Sequence, residues 1–412
     1  MANQISAIVF DHTTLFLPFR RTHEISEIRD LLDELKEQGL RIVVLSSDAI
    51  DIEEESAARY FPLPDLYLNR NDIPGNPSKG AKAWMQETAD RLDVAPHELL
   101  YVGDDAQDWR TAINSAIFYV HASWSKPLDT GERVIEVPHP SQVLDVASHF
   151  LLQPPRWAYA YDCPQDGLIL RSLLPALVRL PSNGLPEKFR LKDVFTYKAQ
   201  IGVGTHNVRD ILLPHAVSSL YLEGLIPPNP YFVAYPSHVS GKHGGPIEDY
   251  LGPLSSLFHG WLKTDLLVRE RDAPDTSLER YLAKRENRLP NVSFAGQSGS
   301  VRLNHEYAKK LVGKTVILMD DFSTTGMSLE WARLLFLAGG AKRVILLTIG
   351  KYPGPHILHR IRPGQSITPF ERRDYDTSAT FSTEPIHLAL NDAGVATVQQ
   401  SLEALRDQKT LQ

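Results

Sequence analysis

Short aliphatic runs that alternate with helix-forming segments constrain the fold of this chain more than any other feature. Three such runs lie in the first third of the chain and three in its second half, at 5–10, 41–46, 99–103, 231–235, 315–319 and 343–348. Helix-forming segments follow most of them, at 23–38, 51–60, 78–93 and 328–337. Strands that alternate with helices form parallel sheets with helices on both faces. The sequence therefore predicts an α/β chain with two doubly wound parallel-sheet domains.

Length and chain-breaking residues divide the sequence into four parts. A chain of 412 residues is long enough for two or three domains. Prolines and an Asn-Gly turn signal interrupt the alternating pattern over 151–204, where we expect a connecting segment that could include a packed helix at 168–180. The prediction is one domain over 1–150, a second over 205–352, and a C-terminal segment over 353–412 that forms either a hood over the ligand or a docking surface.

Composition excludes several classes of protein. Hydrophobic residues make up 42% of the chain and charged residues 23%, which is typical of a globular protein with sizeable cores. The single cysteine, Cys163, excludes a disulfide framework, a four-cysteine zinc site and an iron–sulfur cluster. The N-terminus lacks the basic and apolar regions of a signal peptide, and no long apolar run follows. We therefore expect a cytoplasmic protein with no membrane partner.

Charge is distributed unevenly along the chain. Of its 43 Lys and Arg and its 50 Asp and Glu, residues 1–150 hold 13 and 25, so the remainder is net basic by five charges. Only this remainder looks suited to an anionic ligand. A nucleic-acid partner is not expected, because the excess is small and the basic tract at 269–288 also contains many acidic residues.

The segment Val316–Ser328 carries the strongest functional pattern. An apolar run leads into the adjacent carboxylates Asp320 and Asp321, and a helix begins a few residues later. The loop between them is rich in hydroxyl-bearing residues and contains a glycine. Its candidate binding residues are Thr324, Thr325, Gly326, Met327 and Ser328. Loop N–H groups and a helix N-terminus bind phosphate, and two carboxylates can hold ribose hydroxyls or hydrated Mg²⁺.

This segment closely resembles the phosphoribosyl-pyrophosphate (PRPP) signature of type I phosphoribosyltransferases. The resemblance implies that Asp320 and Asp321 contact the ribose hydroxyls of PRPP and that 324–328 cradle its 5′-phosphate. It also implies that Mg²⁺ accompanies the pyrophosphate, that the partner substrate is a nitrogen base which we cannot name, and that a homodimer is common.

The region upstream of this segment fits the same family less specifically. Phe232–His238 resembles the strand and loop that bind pyrophosphate, with Ser237, His238 and Lys242 as the implied contacts. The basic stretch Arg280–Arg288 resembles that of ComF-type competence proteins, although this chain lacks their cysteine zinc finger. Solvated surface charge is the alternative explanation for Lys242 and for the arginines.

Polar residues that follow three strands in 1–125 form a second pattern. Asp11 follows the first run, Ser46 ends the second, and Asp104 and Asp105 follow the third. Parallel strands bring such ends to one edge of a sheet, where gathered carboxylates repel one another unless a hard cation such as Mg²⁺ binds. A carboxylate beside that cation can attack phosphorus.

The order and spacing resemble cap-less members of the haloacid dehalogenase (HAD) superfamily, with its Rossmann-like sheet. The resemblance implies Asp11 as nucleophile, Ser46 as phosphate-binding hydroxyl, and Lys79 or Lys82 as the stabilising lysine. Mg²⁺ would be held by Asp11 with the two consecutive aspartates that follow the third run, Asp104 and Asp105.

Thr13 departs from that family, which has an aspartate acting as general acid and base at this position. Without that proton donor, turnover would fall by ~10²–10⁴. His12 lies next to Thr13, but a side chain one position away normally points elsewhere. A degenerate scaffold that binds a partner or a phosphorylated ligand is the alternative to an active phosphatase.

The two resemblances together suggest a phosphoribosyltransferase fused to a phosphatase in nucleotide metabolism or salvage. One hypothesis is that the first domain removes the 5′-phosphate handled by the second. The alternatives are a PRPP or nucleotide sensor, a nucleotide-depleting effector in stress or phage defence, and a DNA-uptake accessory.

Overall fold

The computed structural model describes residues 4–16, 22–127, 135–180, 189–191, 202–203, 206–241, 247–248, 251–252, 255, 258, 260–274, 276–288 and 293–407. The chain forms two compact units. The first unit contains Met1–Pro155 with two later segments, Pro214–Asn229 and Pro253–Gly260, and the second unit contains the rest. The predicted assignment of functions to four parts of the chain stays a prediction.

The strands of the described residues account for all six predicted aliphatic runs. In chain order they are β1 (Ala7–Asp11), β2 (Arg41–Ser46), β3 (Leu66–Asn69), β4 (Leu99–Gly103), β5 (Phe118–Ala122), β6 (Ile135–Val137), β7 (Tyr159–Cys163), β8 (Leu168–Pro175), β9 (Arg179–Leu180), β10 (Phe189–Arg190), β11 (Gly202–Val203), β12 (His206–Asn207), β13 (Tyr231–Ala234), β14 (Trp261–Leu262), β15 (Leu267–Arg269), β16 (Val301–Leu303), β17 (Thr315–Ser323), β18 (Arg343–Lys351), β19 (His356–Ile361) and β20 (Phe381–Ile386). All six runs predicted as strands are confirmed.

The helices include the four predicted ones. In chain order they are α1 (His12–Phe16), α2 (Thr22–Glu37), α3 (Ile52–Arg59), α4 (Ala83–Leu92), α5 (Ala106–Asn114), α6 (Ser141–Val146), α7 (Val208–Leu222), α8 (Thr276–Arg285), α9 (Phe294–Ser298), α10 (Met327–Ala338), α11 (Thr377–Thr380) and α12 (Asp392–Asp407). None of the helices in the described ranges has the length and apolar content needed to cross a bilayer.

The first unit is built on a six-stranded sheet in which every neighbouring pair is parallel. The strand order is β3-β2-β1-β4-β5-β6, so the chain winds outward in both directions from β1. The central strands are buried on both faces, which explains their continuous aliphatic runs. Helix α2 packs through Ile28, Leu31, Leu32 and Leu35, the apolar residues whose spacing predicted it. The fold class predicted for this part of the chain is therefore confirmed.

The second unit has its own six-stranded sheet, with strand order β14-β13-β17-β18-β8-β7. All pairs in it are parallel except the edge pair of β7 with β8. β17 is longer than the predicted run at 315–319, because its pairing with β18 continues to Ser323 opposite Lys351. Asp320 and Asp321 therefore lie within the last part of the strand. The prediction of two α/β domains with doubly wound parallel sheets holds for both units.

Residues 159–175 differ from their predicted role as part of a connecting segment. They form β7 and β8, which complete one side of the second sheet. The alternative of a packed helix at 168–180 is wrong, since residues 168–175 pair with β18 in a parallel register that sets Leu170 opposite Leu346. All four leucines of this strand are buried, and Leu170, Leu173 and Leu174 are also compatible with helical spacing in the sequence.

An antiparallel hairpin of β19 and β20 lies in the C-terminal segment of the second unit, followed by α12. Whether this segment acts as a hood or as a docking surface stays a prediction. Its first strand contacts the loop before α10, where the N–H of Ile357 donates to the carbonyl of Thr325 at 2.9 Å. The hairpin is thereby anchored to the segment with the strongest sequence pattern.

A buried ionic cluster fixes α10 against this hairpin. Glu330 is fully buried, and its carboxylate accepts hydrogen bonds from Arg333 at 2.7 Å, from the His356 ring at 2.9 Å and from the N–H of His359 at 3.0 Å. Burial alone would raise the pKa of Glu330, but the Arg333 guanidinium and the His356 hydrogen bond outweigh it and hold the pKa at about 2. The carboxylate therefore stays ionised inside the protein.

We expect Glu330→Gln to destabilise the second unit by about 3 kcal/mol near neutral pH, with the difference shrinking in acid. The folded pKa of about 2 lies below the unfolded value of 4.5, so the stability is present above pH 4.5 and is lost as the pH falls towards 2. Denaturant titrations of both proteins at several pH values measure this. The exposed Glu371→Gln serves as control, and a difference that does not change with pH would contradict the prediction.

Candidate active site

Three polar side chains meet where neighbouring strands of the first sheet end. β1 ends at Asp11, β2 ends at Ser46, and Asp104 directly follows β4. The parallel register pairs Asp11 with Leu45, which brings Asp11 level with the end of β2. Asp11, Ser46 and Asp104 are only 3%, 3% and 2% exposed. The carboxyl edge of the sheet is where ligands of open α/β folds bind.

Asp108 joins Asp11 and Asp104 in a buried carboxylate cluster. One oxygen of each carboxylate lies within 4.8 Å of the others. The Oδ2 atom of Asp108 accepts hydrogen bonds from the backbone N–H groups of Asp104 at 3.1 Å and of Asp105 at 3.3 Å. Burial raises the pKa of Asp108, and the charge of Lys79 opposes that rise. A group whose carboxylate is costly to bury gains from a nearby cation.

Asp105 caps a helix instead of joining this cluster. Its Oδ1 atom accepts hydrogen bonds from the N–H groups of Gln107 at 2.8 Å and Asp108 at 3.0 Å, which satisfies the first turn of α5. The sequence predicted Asp11, Asp104 and Asp105 as metal ligands, whereas the structure groups Asp108 with the first two. The physical reason is that Asp105 Oδ1 caps the helix while Asp105 lines the pocket, and the first helical turn places Asp108 beside Asp11 and Asp104.

Lys79, and not Lys82, contacts the nucleophile position. The Lys79 ammonium forms an ion pair with Asp11 and lies 3.3 Å from Asp108 Oδ1, with only 11% of its side chain exposed. Lys82 is exposed at the start of α4 and makes no capping hydrogen bond there. The sequence left this choice open, and the turn at 79–82 decides it.

Thr13 links the nucleophile position to Asp104. Its N–H donates to Asp11 Oδ2 at 2.8 Å, and its hydroxyl contacts the same oxygen. The hydroxyl also lies 2.9 Å from both carboxylate oxygens of Asp104. A threonine hydroxyl can hold two carboxylates in place, but it cannot serve as a general acid at neutral pH.

His12 does not take the place of the missing acid. Its ring stacks on Phe16 with centroids 5.4 Å apart, and burial lowers the pKa of the imidazole. Its Nε2 atom is buried with no hydrogen-bond partner among the described residues. A neutral, apolar-packed imidazole is poorly prepared to donate a proton to a leaving group.

A pocket of about 450 Å³ opens over the nucleophile position. Its lining combines hydroxyl, amide and charged groups, contributed by Asp11, His12, Thr13, Ser46, Ser47, Asp48, Arg70, Ser78, Lys79, Asp105 and Gln107. Such a volume accommodates a small phosphorylated molecule. Ser46 lies in the wall, as the predicted phosphate-binding hydroxyl requires.

The donor set at this pocket fits a hard divalent cation. Asp11, Asp104 and Asp108 supply only carboxylate oxygens, which Mg²⁺ prefers over nitrogen or sulfur ligands. Bound there, Mg²⁺ would neutralise the carboxylates and polarise phosphate oxygens.

A second set of candidate residues lies at the carboxyl edge of the second sheet. Asp320 and Asp321 are half-buried near the end of β17, and the N–H of Asp321 donates to Asp320 Oδ1 at 3.0 Å. Burial and the neighbouring Asp321 carboxylate raise the pKa of Asp320 well above its usual range. Such a pair is poised to take up a cation or to share hydroxyl donors of a ligand.

Lys351 anchors the loop between β17 and α10 through backbone carbonyls. This buried ammonium donates to the carbonyls of Thr324 at 2.7 Å, Tyr352 at 3.1 Å and Gly354 at 3.0 Å. Gly326 ends the loop with φ at +80°, a conformation that favours glycine, and a Cβ there would clash with the His356 ring. The loop conformation is therefore built into the unit and does not depend on a ligand.

Two hydroxyl groups at this loop have no hydrogen-bond partner among the described residues. The hydroxyl oxygens of Ser323 and Thr325 are buried and make no hydrogen bond within the described part of the chain. Ser328 is half-buried in the first turn of α10, which begins at Met327. Unsatisfied hydroxyls beside a helix N-terminus are suited to an anionic ligand.

The upstream loop contains Ser237 and His238, while Lys242 lies outside the described residues. Arg269, which the sequence analysis did not single out, supports this loop by donating to the carbonyl of Ser237 at 2.6 Å. Its charge also acts on Asp320. Nothing local in the sequence distinguishes Arg269, because the strand that carries it, β15, is paired with β16 far along the chain.

Comparisons with known proteins complete the description of the site. No protein-family model matches the chain, and no curated protein matches it. A HAD-superfamily hydrolase of subfamily IA, variant 1, from Geobacter sulfurreducens matches with a TM-score of 0.28 and 12% identity over 35% of this chain and 97% of its own. A HAD-superfamily hydrolase from Ehrlichia chaffeensis matches with a TM-score of 0.26 and 13% identity over 35% of this chain and 97% of its own.

A dehalogenase solved with an intermediate complex matches with a TM-score of 0.26 and 21% identity over 29% of this chain and 54% of its own. The solved structures named here are thus HAD-superfamily hydrolases and a dehalogenase, each covering about a third of the chain.

The metal ligands can be tested with a pair of adjacent substitutions. We expect Asp108→Asn to weaken Mg²⁺ binding by roughly 10-fold or more, because it removes one of three clustered carboxylates. Asp105→Asn should leave binding within about twofold, since asparagine caps a helix as well as aspartate does. Titration calorimetry with magnesium chloride measures both. The reverse order of effects would restore the ligand set predicted from the sequence.

Proposed function

We propose that the first unit is a cap-less HAD-like phosphohydrolase that uses Asp11 as its nucleophile. The observation that carries this proposal is the position of Asp11, which is buried, paired with Lys79, clustered with Asp104 and Asp108, and part of the pocket lining. The parallel sheet, the strand-end placement and the pocket all support the same chemistry.

The proposed reaction has two steps that balance in atoms and charge. A carboxylate oxygen of Asp11 attacks the phosphorus of a phosphate monoester, and the bond from phosphorus to the leaving oxygen breaks. The leaving alkoxide takes a proton from a water molecule, which becomes hydroxide, and an aspartyl phosphate remains; the proton released when water attacks in the second step neutralises that hydroxide. Water then attacks this phosphorus, releasing inorganic phosphate and restoring Asp11. Ser46 and Lys79 would hold the phosphoryl oxygens and stabilise their charge during both transfers.

Thr13 makes this reaction slow in our proposal. No acid stands at the position of Thr13 to protonate the leaving group, and the imidazole of His12 packs against Phe16. Substrates with good leaving groups should therefore react better than sugar phosphates. General acid–base catalysis typically contributes ~10²–10⁴-fold, so turnover should lie below that of a phosphatase with a full set of groups.

Hydrolysis assays with magnesium chloride test this function. We expect wild type to hydrolyse p-nitrophenyl phosphate slowly and Asp11→Asn to lose activity by about 10³-fold, because the nucleophile is absent. Lys79→Met should lose roughly 10²-fold through the missing charge, while Lys82→Met should stay near wild type. Equal activity in wild type and Asp11→Asn would refute the assignment of the nucleophile.

We further propose that the second unit binds PRPP and transfers its ribose 5-phosphate to a nitrogen base. The specific support is the loop before α10, where the buried hydroxyls of Ser323 and Thr325 make no hydrogen bond to any described residue and the helix N-terminus follows Gly326. Asp320 and Asp321 are the proposed contacts of the ribose hydroxyls of this ligand. In the proposed reaction the bond from C1 to pyrophosphate breaks as the bond from C1 to nitrogen forms.

The protein's share of this second reaction would be orientation and charge neutralisation. Thr324, Thr325, Met327 and Ser328 are the proposed 5′-phosphate contacts, and Ser237, His238 and Lys242 the proposed pyrophosphate contacts. A sensor that binds PRPP without turnover uses the same contacts, so catalysis must be measured separately from binding.

Calorimetry of PRPP with Mg²⁺ tests the second site. We expect Asp320→Asn/Asp321→Asn to weaken binding by roughly 100-fold, a loss of about 2.7 kcal/mol in binding free energy. Nonspecific attraction of an anion would instead be strengthened by removing two negative charges. Glu371→Gln/Asp374→Asn, which removes two exposed carboxylates of the same unit, is the matched control. Absence of PRPP binding to wild type would contradict both the transferase and the sensor.

A further inference from the structure

Lys126 lies beside Asp104 at the edge of the carboxylate cluster. Its Nζ atom is 3.3 Å from Asp104 Oδ1, and 43% of its side chain is exposed while the Asp104 side chain is fully buried. The other oxygen of Asp104 is contacted by the hydroxyls of Ser125 and Thr13. Of these three partners of Asp104, Lys126 is the one that carries a full positive charge.

The backbone around Lys126 is fixed so that its side chain starts next to the cluster. The carbonyl of Lys126 accepts a hydrogen bond from His121 Nε2 at 2.9 Å, and the N–H of Ser125 donates to the carbonyl of Ala122 at 3.0 Å. The indole N–H of Trp124 donates to the carbonyl of Thr14 at 3.1 Å. The Trp124 contact joins the turn after β5 to α1, the helix that directly follows Asp11. The ion pair is therefore a built feature of the unit.

Lys126 adds a second positive charge to the carboxylate cluster. Three carboxylates, those of Asp11, Asp104 and Asp108, face two ammonium groups, those of Lys79 and Lys126. Lys79 spans the two carboxylates that Lys126 does not touch. A divalent cation added to this set meets two positive charges already in place, and repulsion between close like charges is strong where the site is buried.

We propose that Lys126 is an internal counter-ion that competes with Mg²⁺ for Asp104, so that the cation binds by displacing this ammonium group. The proposal rests on the proposed function, because it concerns the metal site of the phosphohydrolase. The exposed half of the Lys126 side chain gives the ammonium group a way out into solvent. Asp104 is thereby neutralised when no cation is bound, and the affinity of the site for Mg²⁺ is held down.

Two measurable consequences follow from competition for one carboxylate. Removing the charge of Lys126 should strengthen Mg²⁺ binding, because the cation no longer displaces an ammonium group. It should also lower the melting temperature in the absence of metal, since the buried Asp104 then loses its counter-ion. Added Mg²⁺ should raise the melting temperature of such a variant more than that of wild type.

Titration calorimetry with magnesium chloride on the full chain tests the proposal. We expect Lys126→Gln, which keeps a hydrogen-bond donor, and Lys126→Met to bind Mg²⁺ at least about 10-fold more tightly than wild type. Lys126→Arg should bind like wild type because the charge is kept. Lys82→Met removes the same charge from an exposed position of the unit and should also bind like wild type. Thermal melting with and without Mg²⁺ supplies the second readout.

The outcomes separate this proposal from the proposed function. Equal or weaker Mg²⁺ binding in both neutral variants overturns the competition while leaving the metal site intact. If Lys126→Gln/Asp104→Asn binds Mg²⁺ more tightly than Asp104→Asn alone, the competition is overturned as well. The gain would then arise away from Asp104. No Mg²⁺ binding in wild type or in any variant overturns the metal site of the phosphohydrolase, and the competition fails with it.

Discussion

The cost of burying carboxylates at the end of a parallel sheet governs the first unit. Asp11, Asp104 and Asp108 are all nearly inaccessible to solvent and lie within reach of one another. A buried carboxylate is tolerated only where hydrogen bonds and opposite charges replace its hydration. Lys79 and Lys126 provide the opposite charges. Their ion pairs connect the end of β1 and the chain segments that follow β3, β4 and β5.

The second unit meets the same constraint in a different way. Its ionised Glu330 is satisfied completely by Arg333, His356 and a backbone N–H, so this carboxylate serves the fold alone. Burial and the neighbouring Asp321 carboxylate raise the pKa of Asp320, and the charge of Arg269 only partly opposes that rise. Glu330, whose charge is compensated, therefore belongs to the fold. Asp320, whose carboxylate is costly to ionise, belongs to the candidate site about ten residues earlier.

The loop before α10 depends on that framework. Lys351 holds the carbonyls beneath the loop, and Gly326 allows the backbone to pass close to His356, which is itself bonded to Glu330. These contacts fix the backbone of the loop without a ligand. Preorganisation of this kind reduces the ordering cost that binding would otherwise carry.

The sequence by itself determined the alternation of strands and helices, the two parallel sheets and the strand ends that carry Asp11, Ser46, Asp104 and Asp320. It could do so because aliphatic runs, helical spacing and glycine stops are local properties of the chain. The tertiary structure alone decided that Lys79 and not Lys82 pairs with Asp11, that Asp108 and not Asp105 clusters with Asp11 and Asp104, and that 168–175 is a strand. Partners such as Lys126, Arg269 and Lys351 come from distant segments, and only packing brings their charges to the sites, because no local pattern encodes which segments become neighbours in space.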